Sequence, residues 1–347
     1  MILRIGRRLV VALTALLMLA ACHAPPKREQ VPLPNLSQQP IEMRVAYLVN
    51  ERLPRMDQAQ LGVLLDSARR ATLEHFGVRI SFAPLREISV RDAFATIPDV
   101  DRRRAMQDVF DFKSGRGDGV RLARAFAKGF KDNGESLPDM IGFALPHAPK
   151  LHARSNLDEF GAAMAELQLQ RLEQWRQVKA RDGNPVIDAS ELNEFAMWLA
   201  LGYSDLPFEL VLTNQIIASV EYVFPAVHAS VRGGYTNGVT TYSKGSRLGT
   251  MAVWSTFAFS GNDDFLLRWR DGERYEPVEA AQLAGLAATH EIGHQLFHFQ
   301  HPFSRPACLM SPVPMFAYRA WSEKLSARHC PIGSDASLIP GANKFFR

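Results

Sequence analysis

Apolar residues recur along this chain with two different periods, and the changes of period divide it into predicted strands and helices. Met43–Val49 (Met-Arg-Val-Ala-Tyr-Leu-Val) is a short apolar run and predicts a strand. From Asp57 the spacing becomes helical, with Leu61, Leu64, Leu65, Ala68, Ala71, Leu73 and Phe76 on one side. Asp57 is placed to cap that helix and Gly77 to stop it. Val78–Leu85 returns to strand character. Strand, helix and strand in this order predict a βαβ unit with a right-handed crossover. Residues 86–136 are less regular. The charged run Asp99–Arg104 predicts a solvated face, Ser114–Gly119 a loop and Val120–Phe130 a short helix.

Beyond this, Pro138–Leu145 (Pro-Asp-Met-Ile-Gly-Phe-Ala-Leu) reads as a further strand. Leu157–Ala180 predicts a long amphipathic helix that buries Phe160, Met164, Leu167, Trp175 and Val178. Ala189–Tyr203 predicts another, with Asp188 and Glu191 in capping-box relation and Met197 and Trp198 in the core. Phe208–Ser219 and Ser230–Tyr242 are strand-like, the second broken by Gly-Gly and Asn-Gly turn signals, and Gly249–Phe259 is a stronger strand. Gly233–Gly238 is glycine-rich but lacks the Gly-Lys-Ser/Thr ending of a phosphate loop. Glu276–Phe299 predicts a helix with Pro277 in its first turn and an apolar surface of Ala280, Leu283, Ala284, Leu286, Ala287 and Ile292.

The N-terminus changes the picture of where this chain works. Arg4, Arg7 and Arg8 precede an apolar run, Leu9–Ala21, that is short for a membrane span and ends in small residues. That is the layout of a secretory signal peptide, residues 1–21. Leu19-Ala20-Ala21-Cys22 resembles the bacterial lipobox, which implies cleavage before Cys22 and lipidation of that residue. His23, in place of an aspartate, implies sorting to the outer membrane, facing the periplasm. Residues 22–40, with five prolines between 23 and 40, then form an extended tether, so the lipid is the only membrane contact expected. Removing residues 1–21 removes three arginines and no acids, so the formal charge of +4 becomes 4 − 3 = +1. Such a balance gives no reason to expect nucleic acid as a partner. Only Cys308 and Cys330 remain, and in an oxidising envelope they are expected to form a disulfide.

Candidate chemistry concentrates in one stretch. His290–Pro302 (His-Glu-Ile-Gly-His-Gln-Leu-Phe-His-Phe-Gln-His-Pro) holds four of the ten histidines. His290 and His294, four apart on a helix, share a face and can present two ring nitrogens to one metal ion. Glu291 lies about 100° round the helix, placed to hold a water without being a ligand. Two ligands, an open side and an adjacent base are what zinc-assisted hydrolysis requires. A third ligand must come from His298 or His301. His298 continues the i, i+4 series but drifts about 40° per step, so it reaches the metal only if the helix bends. His301 precedes Pro302, which drives it out of helical conformation and favours a chain reversal there. His301 is the preferred third ligand and His298 the alternative.

The same stretch resembles the metzincin clan of zinc peptidases, whose motif is HExxHxxGxxH followed by a turn with a methionine beneath the metal. Cys308-Leu309-Met310 resembles in particular the cysteine-x-methionine element of the archaemetzincins. The resemblance implies His290 and His294 as ligands of one catalytic zinc ion, Glu291 as general base and Met310 as the methionine of the turn. It implies an α/β (α+β) fold: a twisted mixed sheet with backing helices and the active-site helix, and a small C-terminal subdomain with the methionine turn and a helix. Residues 41–347 would be one such domain, 41–300 its N-terminal subdomain with helical insertions and 301–347 the C-terminal one. Two departures stand out. Phe297 occupies the glycine position, and Gln300 that of the third histidine, one residue before His301. The helix is therefore expected to run slightly further and turn around Phe299 or Gln300. Of the four cysteines that hold a second zinc in archaemetzincins, two have counterparts, and a Cys308–Cys330 disulfide would pin the turn to the following helix instead. Tyr318 is a candidate oxyanion stabiliser.

The function expected is zinc-dependent hydrolysis of a peptide or protein substrate. A strand at or before Gly249–Phe259 would pair with the extended substrate. The alternatives are a non-catalytic zinc-binding envelope lipoprotein acting as a binding module, and a hydrolase of a non-peptide amide in the cell wall.

Overall fold

Strands that are apolar on both faces cannot meet water on either side, and three runs of this chain have that property. Every residue of Val45–Val49, Leu210–Thr213 and Thr250–Ser255 is buried, as in parallel sheets covered on both sides. The computed structural model describes residues 40–330 apart from 109–117, 134–135, 181, 188–189, 223–224, 314 and 328. The signal peptide, Cys22 and almost all of the tether lie outside the described residues, as do the greater part of the Ser114–Gly119 loop and the expected cap at Asp188.

In chain order the first elements are β1 (Ile41–Met43), β2 (Val45–Val49), α1 (Gln58–Phe76), β3 (Ile80–Phe82) and β4 (Arg86–Ser89). Five helices follow: α2 (Val90–Ala95), α3 (Asp99–Ala105), α4 (Gly119–Asn133), α5 (Leu137–Ala144) and α6 (Leu157–Arg176). Next come α7 (Phe195–Ala200), β5 (Leu210–Thr213), β6 (Ile217–Ala218), α8 (Val227–Val231), β7 (Tyr235–Thr236), β8 (Gly238–Tyr242) and β9 (Thr250–Ser255). The chain then forms α9 (Asp264–Trp269), α10 (Pro277–Phe297) and α11 (Tyr318–Ser322).

The fold is mixed α/β, built on a five-stranded sheet of order β4-β2-β5-β9-β8. The first four strands run parallel and β8 is antiparallel to β9 at the edge. On one face Val45, Tyr47, Leu210, Leu212 and Trp254 pack with α1 and α10. On the other, Ala46, Leu48, Val211, Met251 and Val253 pack with α2, α3 and α7. β1 pairs with β3, and β6 with β7, as two small separate ladders. No helix among the described residues is long and apolar enough to cross a membrane.

Helix α1 follows its expected limits. Asp57 and Gln60 form a capping box, and Gly77 closes the helix in the left-handed conformation. Other expectations are corrected. Pro138–Leu145 is helical: Ser136 caps α5, and Pro138 sits in its first turn, where a missing N–H costs nothing. Val78–Leu85 shrinks to β3, and the next strand, β4, begins inside the stretch of unclear character. The Ala189–Tyr203 helix splits into a 3-10 turn at Glu191–Asn193, α7 and a second 3-10 turn at Leu201–Tyr203. Leu157–Ala180 ends as a helix at Arg176. Ser230 lies in α8 rather than in a strand, and Gly249–Phe259 is a strand only to Ser255. Glu276–Phe299 becomes α10, ending at Phe297.

Candidate metal centre

The centre is built on α10. Glu276 and Glu279 form a capping box at its start, Pro277 occupies the first turn, and an alanine-rich surface faces the core. Near its other end Gln295 is fully buried. Its Nε2 donates to Glu209 O at 2.8 Å and Thr250 O at 3.1 Å, tying the helix to the entrances of β5 and β9. His290 and His294 therefore project from a clamped helix, with ring centroids 4.8 Å apart.

The helix ends where His298 takes the left-handed conformation, φ 52° and ψ 33°, and its N–H donates to His294 O at 3.0 Å. This turn comes earlier than the expected Phe299 or Gln300. Phe297, which the sequence resemblance aligned with a glycine, keeps helical geometry. Its buried ring packs on Phe76, with centroids 5.3 Å apart, and on Phe299 at 5.0 Å. The reversal carries His301 back to the helix, with its Nε2 3.1 Å from His294 Nε2. Ligand atoms of His290, His294 and His301 all lie within 4.8 Å of one another. His298 is spent on the turn and is not part of that cluster.

Backbone carbonyls orient two of the rings. With Nδ1 protonated, His290 donates to Leu309 O at 3.0 Å and His294 donates to Phe299 O. This tautomer leaves the Nε2 lone pairs facing inward, as metal-binding histidines require. Burial pushes His290 down to about 3 and His294 to about 4, helped in each case by a neighbouring histidine. Burial also holds His301 well below the usual imidazole range. All three are neutral at physiological pH.

Leu309 belongs to the segment named for its methionine. Met310 is fully buried beneath α10, and a Cβ on Gly293 would collide with its Sδ. Cys308 and Cys330 form a disulfide, Cα–Cα 4.6 Å, so the expected pairing is present. Cys330 lies beyond α11, so the bond ties the Met310 segment to the chain after that helix rather than to the helix itself.

Glu291 points toward the edge strand. Thr240 Oγ1 donates to Glu291 O at 3.1 Å and to Oε2 at 3.3 Å. Gly238 leaves the carboxylate its space: a Cβ there would lie 2.5 Å from Glu291 Cγ. Burial pushes the carboxyl up to about 8, with Thr240 and Arg232 acting in the opposite direction.

Sequence reasoning missed several residues around the cluster. His228, on α8, packs against the His301 ring with centroids 4.3 Å apart. Arg232, just after α8, donates from Nη1 to Asn237 Oδ1 at 2.5 Å. Asn237 also accepts from the Tyr318 hydroxyl and donates from Nδ2 to Tyr235 OH at 3.2 Å. Helix α6 fixes this group from behind: Trp175 Nε1 donates to Arg232 O at 2.7 Å, and Ser230 Oγ to Gln168 Oε1 at 2.8 Å. No spacing motif links residues 228–237 to 290–301, so only folding brings them together. A cavity of about 30 Å³ lies beside Glu291, lined by Arg232, Trp254, Tyr318 and Trp321 among others. It admits a group about the size of a water molecule.

Three neutral imidazole nitrogens converging from one side, two of them held by carbonyls, fit a zinc ion that keeps an open position. A fourth protein ligand is absent from the cluster among the described residues. No family model matches the chain, and neither a curated protein nor a solved structure matches it.

Proposed function

We propose that this chain is a zinc-dependent peptidase of the metzincin kind, held in the cell envelope by a lipid on Cys22. The observation that carries the reading is the convergence of His290, His294 and His301 beside a buried Glu291 and a water-sized cavity. Met310 beneath the active-site helix and an antiparallel strand at the sheet edge agree with the resemblance read from the sequence.

His290, His294 and His301 would hold the ion. A zinc ion held there would polarise a substrate carbonyl and lower the pKa of a nearby water, so that the water could be deprotonated to a nucleophile. Glu291, within reach of the cavity, would act in its ionised form, which a bound cation would favour against burial, taking a proton from the attacking water and passing it to the leaving nitrogen. The hydroxyl adds to the carbonyl carbon, the C–N bond breaks, and the products are a carboxylic acid and an amine. Tyr318, whose hydroxyl donates to Asn237 Oδ1, would have to exchange that bond to donate toward the carbonyl oxygen as charge develops there.

β8 offers a docking edge. In its pairing with β9, Asn237 and Ser243 face inward, since Ser255 N donates to Asn237 O and Ser243 N to Gly249 O. Strand alternation then turns the N–H and C=O of Gly238 and Thr240 outward. An extended peptide adding there would lie against Gly238, next to Glu291.

The test is Glu291→Gln in the full chain. It is expected to keep the zinc content of the wild type and to lose hydrolysis of a quenched-fluorescence peptide library by about 10²–10⁴-fold. Undiminished hydrolysis in that variant would eliminate Glu291 as the base. Wild-type protein that holds zinc and cuts no peptide would favour a binding module.

A further inference from the structure

Arg232 is a buried guanidinium that closes no ion pair among the described residues, although Glu291 feels its charge. It is 3% exposed, and the ion pairs among the described residues are made by other cations. Nη1 is engaged by Asn237 and lies 3.5 Å from the Tyr318 hydroxyl, whereas Nε has no acceptor among the described residues. Arg270, equally buried, likewise has an Nε without an acceptor among the described residues, but it lies away from the cavity and its Nη atoms donate to Gly261 O at 3.0 Å, Asn262 Oδ1 at 3.1 Å and Ala258 O, and the half-buried Arg44 pairs with Glu209 at 2.5 Å. Burying a lone charge is costly unless something compensates it. Trp254 Nε1 is a second buried donor with no acceptor among the described residues. Arg232 and Trp254 line the same cavity as Glu291 and His290. Two donors without an acceptor among the described residues, one of them on a cation, thus belong to residues of the cavity wall.

We propose that Arg232, with Trp254 beside it in the cavity wall, binds a substrate carboxylate on the leaving-group side of the scissile bond. Hydrolysis is thereby restricted to peptides that carry an anionic group there. The inference rests on the peptidase reading for the word substrate, and on the cavity for the site itself.

The side of the bond is set by taking the added chain to pair antiparallel to β8. A chain pairing antiparallel to β8 ends toward Gly238, the first residue of that strand. Glu291 packs on Gly238, and Asn237, one residue further, holds Arg232. Such a chain passes Glu291 first and meets Arg232 next, on the C-terminal side of the bond. The carboxylate is either the free α-carboxylate of a chain end or the side chain of an acidic residue after the bond. Both suit a planar guanidinium fork.

The experiment measures binding by calorimetry to the full, zinc-loaded chain. The probes are acetyl-Ala-Ala with a free carboxylate, its C-terminal amide, and acetyl-Ala-Glu C-terminal amide. The wild type is expected to bind the free acid about 10- to 100-fold more tightly than the neutral amide. Arg232→Gln should abolish that preference, and Arg232→Lys should retain part of it, since the charge remains without the fork. Equal affinity of the free acid and the glutamyl amide would assign the site to an acidic side chain and support the proposal. Preference for the free acid alone would assign it to a chain end. If the wild type binds all three alike, the proposal is overturned, and that result needs no folded variant.

Peptide hydrolysis measured in parallel separates the two readings. Hydrolysis of neutral and acidic peptides at equal kcat/KM sinks the carboxylate site and leaves the peptidase. Arg232-dependent binding of the free acid, with no peptide cut, sinks the peptidase and leaves the carboxylate site. A uniform fall in kcat in Arg232→Gln, with KM unchanged for every peptide, would make Arg232 a stabiliser of the reacting oxygen instead.

Discussion

At Gly238 the missing side chain is what admits a catalytic candidate. A methyl there would come within 2.5 Å of Glu291 Cγ, inside a wall already closed by Thr240. Gly238→Ala is therefore expected to displace the carboxylate while leaving the three histidines in place. A shift of about 1 Å costs about 10²-fold in rate, and overpacking costs about 1–3 kcal/mol. Zinc content should stay at the wild-type level while kcat/KM and the unfolding midpoint both fall. Unchanged kcat/KM would show that Glu291 is not held at this strand during turnover. At this scale the sequence was informative about His290, Glu291 and His294, because helical geometry makes their spacing a statement about position. It favoured His301 over His298 through Pro302, but it misplaced the turn. Phe297 stays helical because its ring is buried against Phe76 and Phe299, and that packing is invisible in the motif.

At the scale of elements, α5 and α7 show where local pattern misleads. Eight largely apolar residues, Pro138–Leu145, fit a buried strand or a buried helix equally by composition. Ser136 and Pro138 decide for the helix through its first turn. Helix α7 starts at Glu194, which is 3% exposed, with one carboxyl oxygen lacking a partner. Burial, reinforced by Glu221, pushes this carboxyl from 4.5 up to about 8. An acid whose pKa is higher folded than unfolded stabilises the fold while protonated. Stability is then fully present below about pH 4.5 and declines as pH rises to about 8, by on the order of 4 kcal/mol. Glu194→Gln should remove that slope, so that urea midpoints of variant and wild type agree near pH 4 and diverge near pH 8. Parallel midpoints across this range would mean that Glu194 is ionised and compensated in the folded protein.

On the scale of the molecule, two layers of helices cover the sheet, and the centre sits where α10, β8, α8 and the Met310 segment meet. The disulfide holds the last of these. Closing a loop of 22 residues stabilises by about 3 kcal/mol, largely through the unfolded chain. Because Leu309 O, next to Cys308, accepts from His290, the bond also supports the three-histidine cluster. Replacing Cys308 and Cys330 together by serine is expected to lower the unfolding midpoint and to weaken zinc affinity about 10-fold, read by competition with a chromophoric chelator. A lower midpoint with unchanged affinity would confine the bond to stability.

Sequence alone determined what local geometry can encode: the helix carrying His290 and His294, the capped α1, the apolar strands and the chain reversal near Pro302. Each of these rests on spacing within a few residues, or on a backbone preference of one residue type. Tertiary structure decided which strand lies at the sheet edge, that His301 and not His298 faces the other two histidines, and that Gly238 makes room for Glu291. It alone brought His228, Arg232, Asn237, Trp254 and Tyr318 to the same cavity. These residues are far apart along the chain, and their proximity depends on strand order and on helix α6 holding α8 in place, which no local pattern records.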